Sequence, residues 1–574
     1  MWPLRGSCLV VWLAWNDLLC LKPEFDMPSA DPFSQHYLPL LDNTYDVVDR
    51  IVVHAYFALA GTGGGMRYWW QQLHGSTDKL DNTHLMRMAG RFSRRVRGWA
   101  KKNDVPVIYC TGSDRKHRIA AEHQPDDPEF CGIFAVLVYR LPVTVWKVLR
   151  FESGGFHVKK KDPMPRVYHY AFHIMDPDWG HIVVQISGHP PFRAMVMLNG
   201  HEYTECQARK AGLTFSKEGN CFTEVSDGQA LAEVADSLRT KSAAGHLREV
   251  CDRWIYTCLA FGLSLDEQQR SGFRYSYSIQ QLEYSRNLLF QTGHQMEQVF
   301  HGVVDRTRSL MDARRVLTIF GSQRRRKRKG SPRRFEAVLE SPVYDLTIFK
   351  IHFGRLTLKI YTKGERVLRA EAIAHNSVEL KVGKVIEKFG DMVSRLTQLL
   401  DRFLSNLICM ERSWINAREF EQLPQPGFVG QTRVGGIDVN SPRMRVAMHA
   451  VLAVANNPRG FTAAEHAAKV RELQPETYGT YTSRQAAYDL KKLRGKGMIE
   501  KTGTNSRRYE PTRSGLQMLA GLHVLRDKVL LPLLSNGGRL KPGLPSEATA
   551  ELDLKYKAIQ REMQQLLKHL NFAA

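Results

Sequence analysis

Residues able to carry chemistry crowd most densely into YHYAFHIMDPDWGHIVVQISGHPPFRAMVMLNGHEY. This stretch holds His169, His173, His181, His189 and His201 beside Asp176, Asp178 and Glu202. Residues 167–174 read as a strand, 176–180 as a tight turn and 181–187 as the returning strand. Such a hairpin brings His173 near His181, with Asp176 and Asp178 at its tip. Imidazoles and carboxylates so placed could ligate a divalent ion, Mg²⁺ or Mn²⁺, and set it against a phosphodiester. The competing reading is structural. Asp-Pro-Asp-Trp-Gly is what a turn wants for backbone reasons alone, strand histidines commonly make hydrogen bonds, and no HExxH is present. A second pair, Arg369 and Glu371, shares one face of a strand. Arg369 could steady a phosphate, or the two could form ordinary cross-strand ion pairs. An enzymatic reading therefore takes Asp176, Asp178, Arg369 and Glu371 as catalytic and His173, Asp176, Asp178 and His181 as metal ligands. Its chemistry would be that of a metal-dependent nuclease, nickase or DNA strand-transfer enzyme.

Composition points to the partner. Lysine and arginine number 81 against 58 acids, a formal charge of +23 and a pI near 9.6. Such an excess favours a polyanion through counterion release, and nucleic acid is the commonest one. With 43% hydrophobic and 24% charged residues the chain is globular and not disordered. The 9 cysteines are scattered without a Cys-x-x-Cys pair, which argues against a zinc ribbon or a disulfide framework and for reduced thiols in the cytoplasm, at the nucleoid. No apolar run is long enough to span a bilayer. Arg5 and the apolar run after it imitate a signal peptide, but Asn16 and Asp17 interrupt it. Met27 is the expected initiator.

These residues need elements to hold them. The expected class is α+β and multidomain: an antiparallel-sheet body with a helical insert, and a separate C-terminal unit. Residues 1–44 form a leader, 45–215 an α+β domain and 216–320 a helical region in which aromatics interleave with Arg274 and Arg286. Residues 321–334 form a basic arm with no acid from 324 to 334, and 335–410 a β-meander closed by a helix. Residues 411–440 are a Pro/Gly linker, and 536–574 a second linker with a tail helix. In that tail Leu552, Tyr556, Ile559, Met563, Leu566 and Leu570 make a short heptad seam, for a homodimer or for folding back. Within the first domain, residues 85–102 form a basic amphipathic helix. Its Arg91, Arg94 and Arg95 are either phosphate contacts or a solvated face.

Residues 441–535 carry the most specific pattern. Ser441-Pro442 opens a helix, and Thr462 with Glu465 forms a capping box. Thr482 with Gln485 starts a third helix, which carries Ala486, Leu490 and Leu493 on its core face and Arg484, Tyr488 and Lys491 opposite, flanked by Lys492 and Arg494. Two short strands around Thr502-Gly503-Thr504-Asn505 follow, with Arg507 and Arg508 just past the tip, and then a helix capped by Thr512. AAYDLKKLRGKGMIEKTGTNSRRYEPTRSG resembles the recognition helix and wing of bacterial winged-helix repressors. The resemblance implies that Arg484, Tyr488 and Lys491 face the major groove of double-stranded DNA, while Arg507 and Arg508 reach backbone or minor groove. A protein-docking winged helix, or a scaffold for RNA or single strands, is the alternative.

The run KIYTKGERVLRAEAIAHN resembles the Tyr-x-Lys … Arg-x-Glu segment of phage and plasmid replication initiators. Over most of its length the chain is also similar to a group of bacterial proteins without an established activity. The likeness is carried by Asp176-Pro177-Asp178-Trp179-Gly180, Leu198-Asn199-Gly200-His201, Arg286-Asn287-Leu288-Leu289-Phe290 and Leu368-Arg369-Ala370-Glu371. It implies association with mobile elements and leaves the activity open.

Overall fold

The computed structural model describes residues 31–531 apart from 78–79, 153–154, 241, 311–313, 318–334, 344–345, 412–414, 416, 458 and 504, and a few helical positions between 554 and 565. The leader before residue 31, the whole basic arm, and Leu552, Tyr556, Met563, Leu566 and Leu570 of the tail seam lie outside the described residues.

One strand anchors the body. Leu41–Phe57 (β1) runs 17 residues because β-branched and aromatic side chains dominate it and Gly and Pro are absent. It pairs antiparallel along its length with Tyr275–Phe290 (β7). Around this pair lies a mixed sheet of 12 strands. On one side stand Val107–Tyr109 (β2), Gly132–Pro142 (β3), Arg166–Asp176 (β4), Gly180–Ser187 (β5) and Ala194–Asn199 (β6). On the other stand Arg314–Leu317 (β8), Phe335–Val343 (β9), Leu346–Phe353 (β10), Leu356–Lys363 (β11) and Val367–Ala374 (β12). The order is β8-β9-β10-β11-β12-β7-β1-β6-β5-β4-β3-β2.

That order reads alike from both edges. In each half a long central strand leads to a helix, Asn82–Lys102 (α1) after β1 and Gly293–Leu310 (α5) after β7. A short edge strand follows, parallel to the next one: β2 to β3, and β8 to β9. An antiparallel meander then returns to the central strand. The body is thus an internal duplication of one topology, joined across β1 and β7. The first half alone carries an insert over the outer sheet face: Gly200–Lys210 (α2), the hairpin of Phe215–Lys217 and Phe222–Val225, and Gly228–Asp236 (α3). Ala243–Leu259 (α4) follows it, and Phe389–Glu411 (α6) follows the second half. The core lies between the inner sheet face and the helices, with Phe92, Ile279, Tyr284, Ile360, Leu396 and Phe403 all buried.

The expected helical region of 216–320 is corrected at its centre. Residues 275–290 form the long strand β7, because Tyr275, Tyr277 and Ile279 alternate with Ser276 and Ser278 at period two, a strand's period. The expected boundary between an α+β domain and a separate meander disappears with it, since both halves share one sheet.

Beyond the sheet come Pro442–Val454 (α7), Ala463–Leu473 (α8), Ser483–Gly495 (α9) and Arg513–Val524 (α10). A small sheet orders Phe461–Thr462 (β13), Arg508–Pro511 (β15) and Ile499–Lys501 (β14). Both expected capping boxes are formed, Thr462 with Glu465 and Thr482 with Gln485. Arg402 on α6 pairs with Glu510 at 2.8 Å and Asn406 donates to Asn456 at 2.7 Å, tying these elements to the body. No helix among the described residues is long and apolar enough to cross a membrane.

Candidate functional site

The β4–β5 hairpin forms as expected, with Asp176 opposite Gly180, but it separates the residues proposed to share a metal. His173 and His181 stand diagonally on the outer face, where His173 Nδ1 lies 3.0 Å from His181 Nε2. Burial lowers both imidazole pKa values, that of His173 to about 3, so the pair is neutral at pH 7. Asp176 is three residues from His173 and therefore faces the other way, toward α4. Its Oδ1 accepts the backbone N–H groups of Asp178 (2.9 Å) and Trp179 (3.0 Å). Its Oδ2 accepts Arg253 (2.8 Å) and the Trp254 indole (2.7 Å). That saturates the carboxylate. Asp178 is part-exposed and bridges to Lys210 at 2.6 Å. His173, Asp176, Asp178 and His181 thus form no common ligand set for Mg²⁺ or Mn²⁺, and among the described residues no three His, Cys, Asp or Glu side chains converge as one. Asp176 fastens a turn to a helix.

Arg369 and Glu371 do meet other ionisable groups, on the outer face at the seam of the two halves. Gly200 starts α2 against β1 so closely that a Cβ there would lie 1.7 Å from the Val48 carbonyl oxygen. The next residue, His201, is thereby set into the sheet. Its Nδ1 lies 3.1 Å from Asp49 Oδ1 and its Nε2 3.3 Å from an Arg369 amino group. Since the guanidinium can only donate, His201 is neutral, with its proton on Nδ1 toward Asp49. Arg369 also donates from Nε to Asn287 Oδ1 and from Nη2 to the Asn220 carbonyl, both at 2.5 Å. Its Nη1 makes no hydrogen bond and lies 3.8 Å from Asp49 and 3.9 Å from Glu371. Glu371 accepts the Tyr361 hydroxyl, and the Lys359 ammonium lies at ion-pair distance from its Oε2. Burial favours a neutral Asp49, yet the N–H that His201 donates and the charge of Arg369 outweigh it and hold that carboxyl well below its ordinary value. Burial raises Glu283 beside them, and Asp49 and Glu371 raise it further. Asp49 is 4% exposed, Glu371 2%, and Arg369 and His201 0%, so Arg369 and Glu371 are sealed from a polymeric substrate and clamp the seam. Neither Asp49 nor Asn287 was expected beside Arg369, although an acid inside Val-Val-Asp-Arg-Ile-Val-Val was the available signal for the first.

Arg286, which the sequence interleaves with aromatics, is buried on the inner face. It donates to Asp46 through Nε (2.8 Å) and Nη2 (2.6 Å), and through Nη1 to Asp31 (2.5 Å) and Asp401 (2.8 Å). Arg91 is likewise committed, to Glu267 at 2.7 Å and the Gly262 carbonyl at 2.5 Å. Arg94 and Arg95 on the same helix are exposed.

The cations of α9 lie away from its core face. On α9, Arg484 and Tyr488 are exposed, and Lys491, Lys492 and Arg494 are half-buried, with the Lys492 ammonium 5.2 Å from the Tyr488 ring. The helix contains one acid, Asp489, and it is turned inward. It accepts Arg443 Nε at 2.9 Å and the Tyr481 hydroxyl at 2.6 Å, and is 2% exposed. The C-terminal end of α9 is covered by the hairpin of Gly427–Val429 and Thr432–Val434, where Gly427 abuts Gly495, while its N-terminal end is open. Arg507 is exposed near the β14–β15 turn. Arg508 is drawn back to Glu465 at 3.1 Å and the Gly460 carbonyl at 2.8 Å, so it braces the turn. No protein-family model, curated protein or solved structure matches the chain.

Proposed function

We propose that the protein docks on double-stranded DNA through residues 441–535, acting as a winged helix-turn-helix in which α9 enters the major groove and the β14–β15 turn is the wing. The observation that carries this reading is the charge sorting on α9. Four cations and Tyr488 occupy its outward side, while its one acid is consumed internally by Arg443 and Tyr481. A merely solvated helix has no need of such sorting, whereas a phosphate-facing one does. The open N-terminal half of α9 is the part that contacts base edges in helix-turn-helix docking. On this reading the protein works at the nucleoid, in the service of DNA carried by a mobile element.

The test is fluorescence anisotropy of a labelled duplex with the full chain across a salt series. Affinity should fall log-linearly with salt, and each phosphate contact removed should flatten the slope by roughly 0.9. Arg484→Ala with Lys491→Ala should weaken binding at least tenfold and flatten the slope by ~1–2. An unchanged affinity and slope in that variant would defeat the proposal.

A further inference from the structure

A second surface, on the sheet edge far from α9 in sequence, has the ingredients of base stacking. Tyr168 on β4 has the same parity as the buried Tyr170, whose ring lies 4.9 Å from Phe92 of α1, and so it stands on the helix side of the sheet. Tyr168 itself lies beyond the cover of that helix and is 45% exposed. Tyr109, on the edge strand β2, meets it edge-on with ring centroids 6.2 Å apart and is 55% exposed. Two large aromatic side chains thus stand together in solvent, outside every core cluster.

Cations surround them. The Arg140 guanidinium sits 4.9 Å from the Tyr168 ring centroid. Arg166 donates to the Arg140 carbonyl at 3.0 Å. Arg97, one turn beyond Ser93 on α1, reaches only the Ser93 carbonyl of its own helix, at 3.4 Å. Burial raises the pKa of the Tyr170 hydroxyl, Ser93 and Arg97 lower it, and Tyr109 and Tyr168 raise it, so these side chains belong to its surroundings. Arg97, Arg140 and Arg166 are exposed, and among the described residues none of them makes an ion pair. A self-contained surface pairs its arginines with acids or spreads them apart. Here three stand unpaired around two exposed rings.

We propose that Tyr109 and Tyr168 form a stacking platform for single-stranded nucleic acid, with Arg97, Arg140 and Arg166 neutralising the adjacent phosphates. A single strand fits because its bases offer flat apolar faces to the rings at the same spacing as its charges meet the arginines. A duplex hides those faces and leaves the tyrosines without a partner. The platform is independent of duplex docking through α9, so either reading can fail without the other.

The experiment uses the full chain carrying Arg484→Ala and Lys491→Ala, which removes the duplex-docking face from the measurement. Binding of a labelled 20-nucleotide single strand is compared with that of an abasic strand of equal length and charge, as both DNA and RNA. We expect the base-bearing strand to bind more tightly than the abasic one. Tyr109→Ala with Tyr168→Ala should lose on the order of tenfold or more in affinity, and Tyr109→Phe with Tyr168→Phe should restore most of it because stacking needs the ring and not the hydroxyl. Equal binding of abasic and normal strands would overturn the platform, as would unchanged affinity in the double alanine variant. The melting temperature of each variant is checked alongside, and because both side chains are exposed it should not move.

Discussion

Replacing Arg286 by leucine would remove the one cation that holds three carboxylates together inside the body. Its side chain is 7% exposed, those of Asp31 and Asp46 are 1% and 10%, and that of Asp401 is 39%. The half-exposed Asp401 can turn to water, so the cost falls on Asp31 and Asp46, left as buried acids without a counterion. Breaking a buried pair from one side costs about 3–5 kcal/mol, since the orphaned charge keeps its desolvation penalty. Unfolding ~500 residues at roughly 2.1 cal/mol/K each gives an entropy of about 1 kcal/mol/K, so the melting temperature should fall by about 3–5 °C. The size of the effect should depend on pH. In the wild type, burial opposes ionisation of Asp46, but Arg286 outweighs it and its pKa is lowered, so the pair stabilises above the ordinary carboxylate range and weakens only as pH falls through the depressed value. In the variant only the Tyr284 hydroxyl and Arg239 still oppose burial, so the Asp46 pKa should rise and stability should be lost as pH rises through that raised value. The gap between variant and wild type should therefore be wider at pH 8 than at pH 5. The assay is thermal unfolding by tryptophan fluorescence, reported by the buried Trp69, Trp70 and Trp179. A shift below 1 °C at pH 8, or a gap that does not narrow at pH 5, would refute the account of Arg286 as a counterion.

Other perturbations should be as readable. Asp489→Ala strips partners from Arg443 and Tyr481 and should cost the C-terminal elements about 2–4 kcal/mol, seen as earlier proteolysis of residues 441–530 in a pulse with trypsin. Gly200→Ala drives a methyl into the Val48 carbonyl and should cost ~1–3 kcal/mol or more in urea denaturation, because backbone and not a side-chain tip must give way. His466 is buried and its Nε2–H donates to the Ala447 carbonyl at 2.9 Å, with burial lowering its pKa to about 4. Its folded value lies below the unfolded one, so its contribution is whole above about pH 6.5 and declines as pH falls toward 4, by up to roughly 3 kcal/mol. His466→Gln should lessen the loss of stability between pH 7 and 5, and an identical pH profile would count against it.

What the sequence disclosed was whatever is encoded locally. Thr462 with Glu465 and Thr482 with Gln485 announce helix starts through their own side chains, and both boxes form. Asp176 to Gly180 announces a turn, and it turns. The meander strands expected near residues 356–361 and 367–374 also form. What the sequence concealed depends on partners far along the chain. A tyrosine–arginine mixture at 275–290 reads as part of a helical region until β1, more than 200 residues earlier, is laid beside it. The hairpin histidines and Asp176 look like one site in a linear reading, yet a strand sends residues 173 and 176 to opposite faces. Arg508 and Arg91 look like free cations because Glu465 and Glu267 that claim them are distant in sequence.

The duplication of the body explains where its buried charges lie. β1 and β7 are the strands by which the halves meet, and each half alone would leave one of them as a long open edge. The ionised groups at that junction are shared between halves: Asp46 and Asp49 stand on β1, Arg286 on β7 and Arg369 on β12. Arg286 ties the halves together on the inner face, and Arg369 on the outer. Apolar strands of one period can slip past each other by two residues at little cost. A guanidinium that must find Asp46 on one face, and another that must find His201 and Asn220 on the other, admit only one register. The insert of α2, α3 and their hairpin belongs to the first half and yet covers Arg369 of the second. The seam is therefore closed by chain that only one copy possesses, and the two halves, though built alike, cannot exchange places.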